Sequence, residues 1–277
     1  MEFEAMRPQL TALAFRLLGS IHDAEDAVQS TWIKASAAET EGLRNPAAWL
    51  TTVLTRVCLD QLRARRRRRE EPLPADALPA ESVAADERYL QREDVSRALM
   101  VVLNLLTPAQ RVAYVLHDLF GVPFREVARV LGTSADSAKK HASRARGSID
   151  RATPEPTEAA ADQAVVTAFL AAAAGGDVDR MIALMTDDCT RTVDSTLVPP
   201  GTPEVVTGAH AVAGETSTFA HRIRAATPMV LDNRPVDVIA PGGHLLAVIT
   251  ATITGRRIAR LDIRRAADRC AMPVRAS

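Results

Sequence analysis

Apolar positions recur at helical spacing through the first 69 residues. Leu10, Leu13, Ala14, Leu17 and Leu18 mark one face of a first helix, which Gly19 ends. Asp23 is the predicted cap of a second helix, with Glu25 and Asp26 in its first turn at the positive end of the dipole. Asn45-Pro46 opens a third, long helix, Asn45 as cap and Pro46 at the first helical position. Its apolar stripe runs through Trp49, Leu50, Val53, Leu54, Val57 and Leu62 into a run of arginines. Trp32 and Trp49 fall inside this periodicity and are predicted core residues.

Pro72, Pro74 and Pro79 break the pattern, and residues 70–94 read as a linker with helices resuming near Ala85. Thr107-Pro108 starts a helix to about His117, and Phe124 to Leu131 forms a short one. After the turn Gly132-Thr133-Ser134 a last helix runs from Ala135 to about Ile149. Three helices, the last two joined by a tight turn containing glycine, match a helix-turn-helix. A second linker spans 153–160. Beyond it Ala164–Ala174 and Asp179–Met185 are helical, while Thr192–Val198 and Val236–Ile263 carry β-branched runs punctuated by Pro241-Gly242-Gly243 and Thr254-Gly255. The expected architecture is two all-α domains, 1–69 and 95–152, followed by an α+β domain over 161–277.

Composition narrows the class. With 47% hydrophobic and 25% charged residues, each module can bury a core. No run of about 18 apolar residues is present, so no membrane span is expected, and the acidic start Met1-Glu2-Phe3-Glu4 does not read as a signal peptide. Cys58, Cys189 and Cys270 are odd in number and far apart, fitting neither a disulfide framework nor a zinc site; a cytoplasmic setting is expected, with no cofactor and no metal.

Thirty-four basic residues balance 34 acidic ones. Their distribution is uneven. Seven arginines and one acid lie between Arg56 and Arg69; Lys139, Lys140, Arg144, Arg146 and Arg151 cluster near the last helix of the middle module. Glu70 to Asp94 holds eight acids against Arg88 and Arg92. Two basic patches around an acidic spacer point to two contacts on one polyanion.

In the last helix Ala135, Ala138, Ala142, Ala145 and Ile149 share one face. The other face carries Asp136, Ser137, Lys139, Lys140, Ser143, Arg144 and Arg146, a polar ridge suited to a major groove. Asp136, Ser137 and Lys140 are candidates for reading bases, and Lys139, Arg144 and Arg146 for phosphates. Arg56 and Arg63, seven apart, lie on one face of the third helix, ahead of the arginine run that includes Arg65 and Arg66. A solvated helix face is the bland alternative for each patch.

Asp23-Ala-Glu-Asp26-Ala-Val-Gln29, with Asn45-Pro-Ala-Ala-Trp-Leu-Thr-Thr52 and Arg56-Val-Cys-Leu-Asp-Gln-Leu-Arg63, resembles region 2 of the extracytoplasmic-function sigma factors. Leu106-Thr-Pro-Ala-Gln-Arg111 through His117-Asp-Leu-Phe-Gly121 to Ser143-Arg-Ala-Arg146 resembles their region 4, and the segment from about 160 is similar to the SnoaL-like domain of one subgroup. The resemblance implies a sigma subunit that recruits core RNA polymerase to promoter DNA. Asp23, Asp26 and Gln29 would dock on the polymerase clamp. The loop from Glu39 to Asn45, with Arg44, would hold a flipped base of the −10 strand, with Arg56 and Arg63 near the promoter and the arginine run, Arg65 and Arg66 included, on phosphates. The helix from Ala135 would read the −35 element. Because a linker of only about ten residues ties the C-terminal domain to the DNA-reading helix, that domain is expected to regulate activity in cis, answering to a small-molecule or protein effector.

Two rivals stand beside this reading. A helix-turn-helix regulator outside polymerase has no use for the Asp23–Gln29 block. An enzyme in the C-terminal domain would draw on Asp194, His210, His221, Asp232 and His244, which form no recognisable catalytic set. The chain is therefore expected not to be an enzyme.

Overall fold

Three helices open the chain in the computed structural model, which describes residues 3–38, 45–68, 75–152, 159–231 and 234–266. They are α1 (Phe3–Leu18), α2 (Ile21–Ser36) and α3 (Pro46–Arg67). Gly19 turns the chain between α1 and α2 at φ 79°, a backbone angle that favours glycine, and a Cβ there would stand 2.7 Å from Asn104 Oδ1 and force that side chain to shift. The cap of α2 is Ser20 and not Asp23. The helix starts two residues ahead of Asp23, and the Ser20 hydroxyl accepts from the Asp23 amide. A second donor of that first turn, Ile21 N, reaches the buried Asp86 carboxylate at 2.6 Å. Asn45 caps α3 through Ala48 N at 2.9 Å, with Pro46 in the first turn, as expected.

Residues 80–92 lie within the segment expected as linker, yet they form α4 (Ala80–Arg92). The prolines all precede this helix. Asp86, Tyr89 and Leu90, at spacings of three and four, bury one stripe of it. Then follow α5 (Arg97–Leu105), α6 (Pro108–Tyr114) with a Thr107–Gln110 capping box, a π-helical turn over Val115–Leu119, α7 (Phe124–Leu131) and α8 (Ala135–Ala152). Residues 3–68 and 80–150 make one compact unit with a continuous core that joins Leu10, Phe15 and Leu54 to Met100, Val112 and Val127.

Arg111 of α6 lies inside that core, 4% exposed. Its Nη1 donates to Leu17 O at 2.7 Å, its Nη2 to Asn104 Oδ1 at 2.7 Å, and its Nε to Leu103 O. Arg65 of α3 donates to Leu18 O at 3.2 Å. Two guanidinium groups thus cap the C-terminal carbonyls of α1, where a cation is also favoured by the helix dipole.

Residues 75–78 and the chain from 151 form the second unit. Helices α9 (Ala159–Gly175), α10 (Val178–Ala183), α11 (Ala209–Thr218) and α12 (Ala220–Ile223) accompany a six-stranded sheet. Its strands are β1 (Met185–Val193), β2 (Val205–Thr207), β3 (Ala226–Leu231), β4 (Arg234–Ile239), β5 (Ala247–Thr254) and β6 (Arg257–Arg265), in the order β2-β1-β6-β5-β4-β3. Among the described residues β1 and β6 pair in parallel and the other neighbouring strands antiparallel. The α+β class expected after residue 160 is the one observed. Phe169, Leu170 and Ala173 of α9 pack with Cys189, Ile249 and Leu261 of the sheet. Among the described residues no helix is long and apolar enough to cross a membrane.

Candidate nucleic-acid interface

The turn before α8 is built by two local devices. Gly132 takes φ 68° and its amide closes α7 on Ala128 O, an ending that L side chains resist. Ser134 Oγ then accepts from Ser137 N at 3.1 Å and caps α8. The alanine stripe behaves as its spacing predicts: Ala138, Ala142 and Ala145 are fully buried, and Ala135 and Ile149 partly so. Outward stand Asp136, Lys139, Lys140, Ser143, Arg144 and Arg146, all exposed, with Ser137 half-buried.

Two of those charges already have partners. Arg146 Nε donates to Asp118 at 2.5 Å, which raises its pKa, and Lys139 lies 3.8 Å from Asp136. Such exposed pairs contribute about 0–1 kcal/mol, so a phosphate displaces them at small cost. His141 sits between the faces. Burial, with Arg144 nearby, lowers its pKa, so its ring adds no charge to the ridge at neutral pH.

The arginines of α3 are used unequally. Arg56, Arg63 and Arg66 are exposed, and Arg63 makes one long contact of 3.4 Å to Leu131 O. Arg65 is turned inward: besides Leu18 O, its Nη2 donates to Asp23 at 2.6 Å. Asp23 is therefore occupied by the protein's own arginine, whereas Asp26 and Gln29 face solvent. Arg44 and the rest of the loop 39–44 lie outside the described residues.

Trp32 corrects an expectation. It is 41% exposed and packs against Phe3 in a tilted pair, with ring centroids 5.0 Å apart. Ile33 beside it is 62% exposed, so α2 presents Asp26, Gln29, Trp32 and Ile33 together. The missed signal was the buried set Ala24, Ala27, Val28, Thr31 and Ala35, which already fills the inner face of this helix.

In the second unit, residues 75–78 come from the segment joining α3 to α4. Ala75 is buried in that unit's core, and Asp76 pairs with Arg265 at 2.8 Å. The unit also holds a cavity between sheet and helices. None of Asp194, His210, His221 and His244 lines it, and Asp232 lies outside the described residues. Asp194 instead spends its carboxylate on capping the turn at Thr196, by 2.9 Å and 2.7 Å hydrogen bonds that lower its pKa.

Residues 3–68 match the family model for sigma-70 region 2, and residues 96–149 that for sigma-70 region 4. The chain is 42% identical over 224 residues to the ECF RNA polymerase sigma factor SigJ of Mycobacterium tuberculosis, covering 76% of this chain and 70% of that one. It is 33% identical over 189 residues to the probable ECF RNA polymerase sigma factor SigI of the same organism, covering 66% and 65% respectively. The crystal structure of the M. tuberculosis extracytoplasmic function sigma factor SigJ aligns over 96% of both chains at 34% identity, with a TM-score of 0.46. A match taking in 76% of this chain is longer than the two helical segments combined, so the likeness to SigJ continues into the C-terminal unit.

Proposed function

The chain belongs to the ECF RNA polymerase sigma factors, and from that premise we propose which of its surfaces meet polymerase and promoter and how the C-terminal unit controls them. As an alternative sigma subunit it binds core polymerase and promoter DNA in the cytoplasm, and the α+β unit, SnoaL-like in our reading, serves regulation without catalysis.

The polymerase-docking surface is the outer face of α2. Asp26 and Gln29 supply polar contacts, and Trp32 and Ile33 supply the apolar centre that protein interfaces favour. Asp23 takes no direct part while Arg65 holds it. Promoter contact divides between α3 and α8. Arg56, Arg63 and Arg66, with Arg44, meet the −10 region. Asp136, Ser137, Lys140 and Ser143 meet base edges of the −35 element, and Lys139, Arg144 and Arg146 its phosphates.

The compact helical unit is the form that awaits a promoter. Elements about 25 base pairs apart lie about 85 Å apart along a duplex that rises about 3.4 Å per pair. A compact unit of this size has a radius of gyration of about 14 Å, so the α3 and α8 surfaces must separate to engage both. Separation breaks the Arg111–Leu17 bond and releases Arg63 from Leu131.

The C-terminal unit acts in cis because it holds the segment between the separating modules. The single observation that carries this is Asp76 on Arg265 with Ala75 in the core. The test is transcription with core polymerase by the whole chain, by a chain ending near Thr157, and by one in which Asp76→Arg breaks the pair. Altered promoter affinity or output in both variants supports control in cis, and equal output from all three excludes it.

A further inference from the structure

The cavity of the second unit measures about 80 Å³, several times the ~10–15 Å³ that one ordered water requires on the same measure. Its wall is mostly apolar, with Phe169, Val193, Ile249 and Leu261 among the lining side chains. Three ionisable groups interrupt it: Arg191, Glu215 and Arg222. What each has left to offer defines the ligand.

The two arginines are engaged to different degrees. Arg191 stands on β1 between Cys189 and Val193, on the strand's buried face, 5% exposed. Its Nη1 donates to Pro203 O at 3.1 Å and Glu204 O at 3.3 Å, and its Nη2 to Glu215 Oε2. Arg222 donates to Leu197 O at 2.6 Å and lies over the Phe219 ring at 5.9 Å. Glu215 differs. Its Oε2 takes Arg191, but its Oε1 is buried and has no hydrogen-bond partner. A buried carboxylate oxygen without a donor is destabilising, by more than a neutral acceptor would be. The unmet valence of the cavity is an acceptor.

We propose that this cavity is a binding site for a small, neutral, largely apolar molecule carrying one O–H or N–H group, such as a phenol or an N–H heterocycle, which donates to Glu215 Oε1. Arg191 already balances the charge of Glu215. A carboxylate ligand has no proton to donate to Oε1 and is repelled by it, and an ammonium adds a buried positive charge to those of Arg191 and Arg222. A hydrocarbon fills the space but leaves Oε1 unmet. Glu215, Phe219 and Arg222 also line a groove on the surface of the same unit, which gives the ligand its way in. The proposal does not depend on how the chain meets polymerase or DNA.

The test uses three single-ring probes with the whole chain: phenol, toluene and benzoate. Binding is read from methyl resonances of Ile249, Leu261 and Ile263. Phenol is expected to shift them saturably and to bind at least tenfold tighter than toluene, as a hydrogen bond to a charged acceptor supplies. Benzoate is expected not to bind. Glu215→Gln should shrink the phenol-to-toluene ratio several-fold while leaving toluene unchanged. Ala247→Phe, which fills the cavity from β5, should abolish binding of both and keeps the test decisive if the Glu215 variant fails to fold. Toluene binding as tightly as phenol, benzoate binding as tightly as either, no saturable shift up to the solubility of phenol, or phenol binding unchanged in a folded Ala247→Phe chain would each overturn the proposal.

Discussion

Arg111 in the helical unit and Arg191 in the α+β unit are both buried arginines that donate to main-chain carbonyls, yet their surroundings are opposite. Among the described residues Arg111 has no carboxylate partner. It joins α6 to the end of α1 across 94 residues of sequence, and all three of its nitrogens act inside a packed core. Arg191 has a carboxylate, Glu215, whose second oxygen is unmet and lies beside a cavity. The difference separates a staple from a site. A guanidinium that ends on carbonyls completes the structure around it, whereas a pair with one oxygen unmet leaves chemistry for a ligand.

Removing the arginines should expose this difference. Arg191→Met strands a buried carboxylate and is expected to cost about 3–5 kcal/mol in urea unfolding. Arg191→Met combined with Glu215→Leu should recover at least half of that loss, since no buried charge remains. Arg111→Met takes the donor from two main-chain carbonyls and from Asn104 Oδ1 and should cost about 2–3 kcal/mol. An Arg111→Lys chain as stable as the unaltered one would contradict the staple, because an ammonium cannot reach three divergent acceptors.

On α8, Lys140→Ala should lose about 1–3 kcal/mol of discrimination between promoter and mismatched DNA, read from competition binding. Lys139→Ala should weaken all duplexes alike and lower the salt slope by about one. Equal weakening of all DNA by Lys140→Ala would remove it from base reading. The smallest stability effect belongs to Asp76→Arg, about 0–1 kcal/mol as for other exposed pairs, although its effect on transcription should exceed that.

How much of this was legible in the sequence varies by element. The alanine stripe of α8 reads directly, because small residues at spacings of three and four have one structural use. The Asn45-Pro46 start and the Gly132 turn read as well, each resting on one local backbone requirement. Helix α4 was legible only in part: helices were expected to resume near Ala85 and α4 starts at Ala80, and Asp86 looks like one more acid of a charged spacer until its carboxylate is seen on Ile21 N, 65 residues away. Trp32 was misplaced because aromatic periodicity does not say whether an inner face is already full. Arg191 had a readable signal, a guanidinium in register with Cys189 and Val193, but its partner on α11 is fixed by tertiary packing alone. Among the candidate site residues, the outward placement of the α8 ridge was legible. The mutual capture of Asp23 and Arg65 was not, as nothing local pairs positions 42 apart.

The reading of α2 as the polymerase-docking face is tested most directly by run-off transcription with purified core RNA polymerase. The template is DNA recovered bound to the chain in cells. The whole chain should direct transcripts from one defined start, and the folded Asp26→Arg, Gln29→Ala double variant should bind the same DNA yet yield no transcript and pull down no core enzyme. Undiminished transcription by that variant would contradict the assignment of the α2 face. Identical transcripts with and without the whole chain would contradict the sigma function itself.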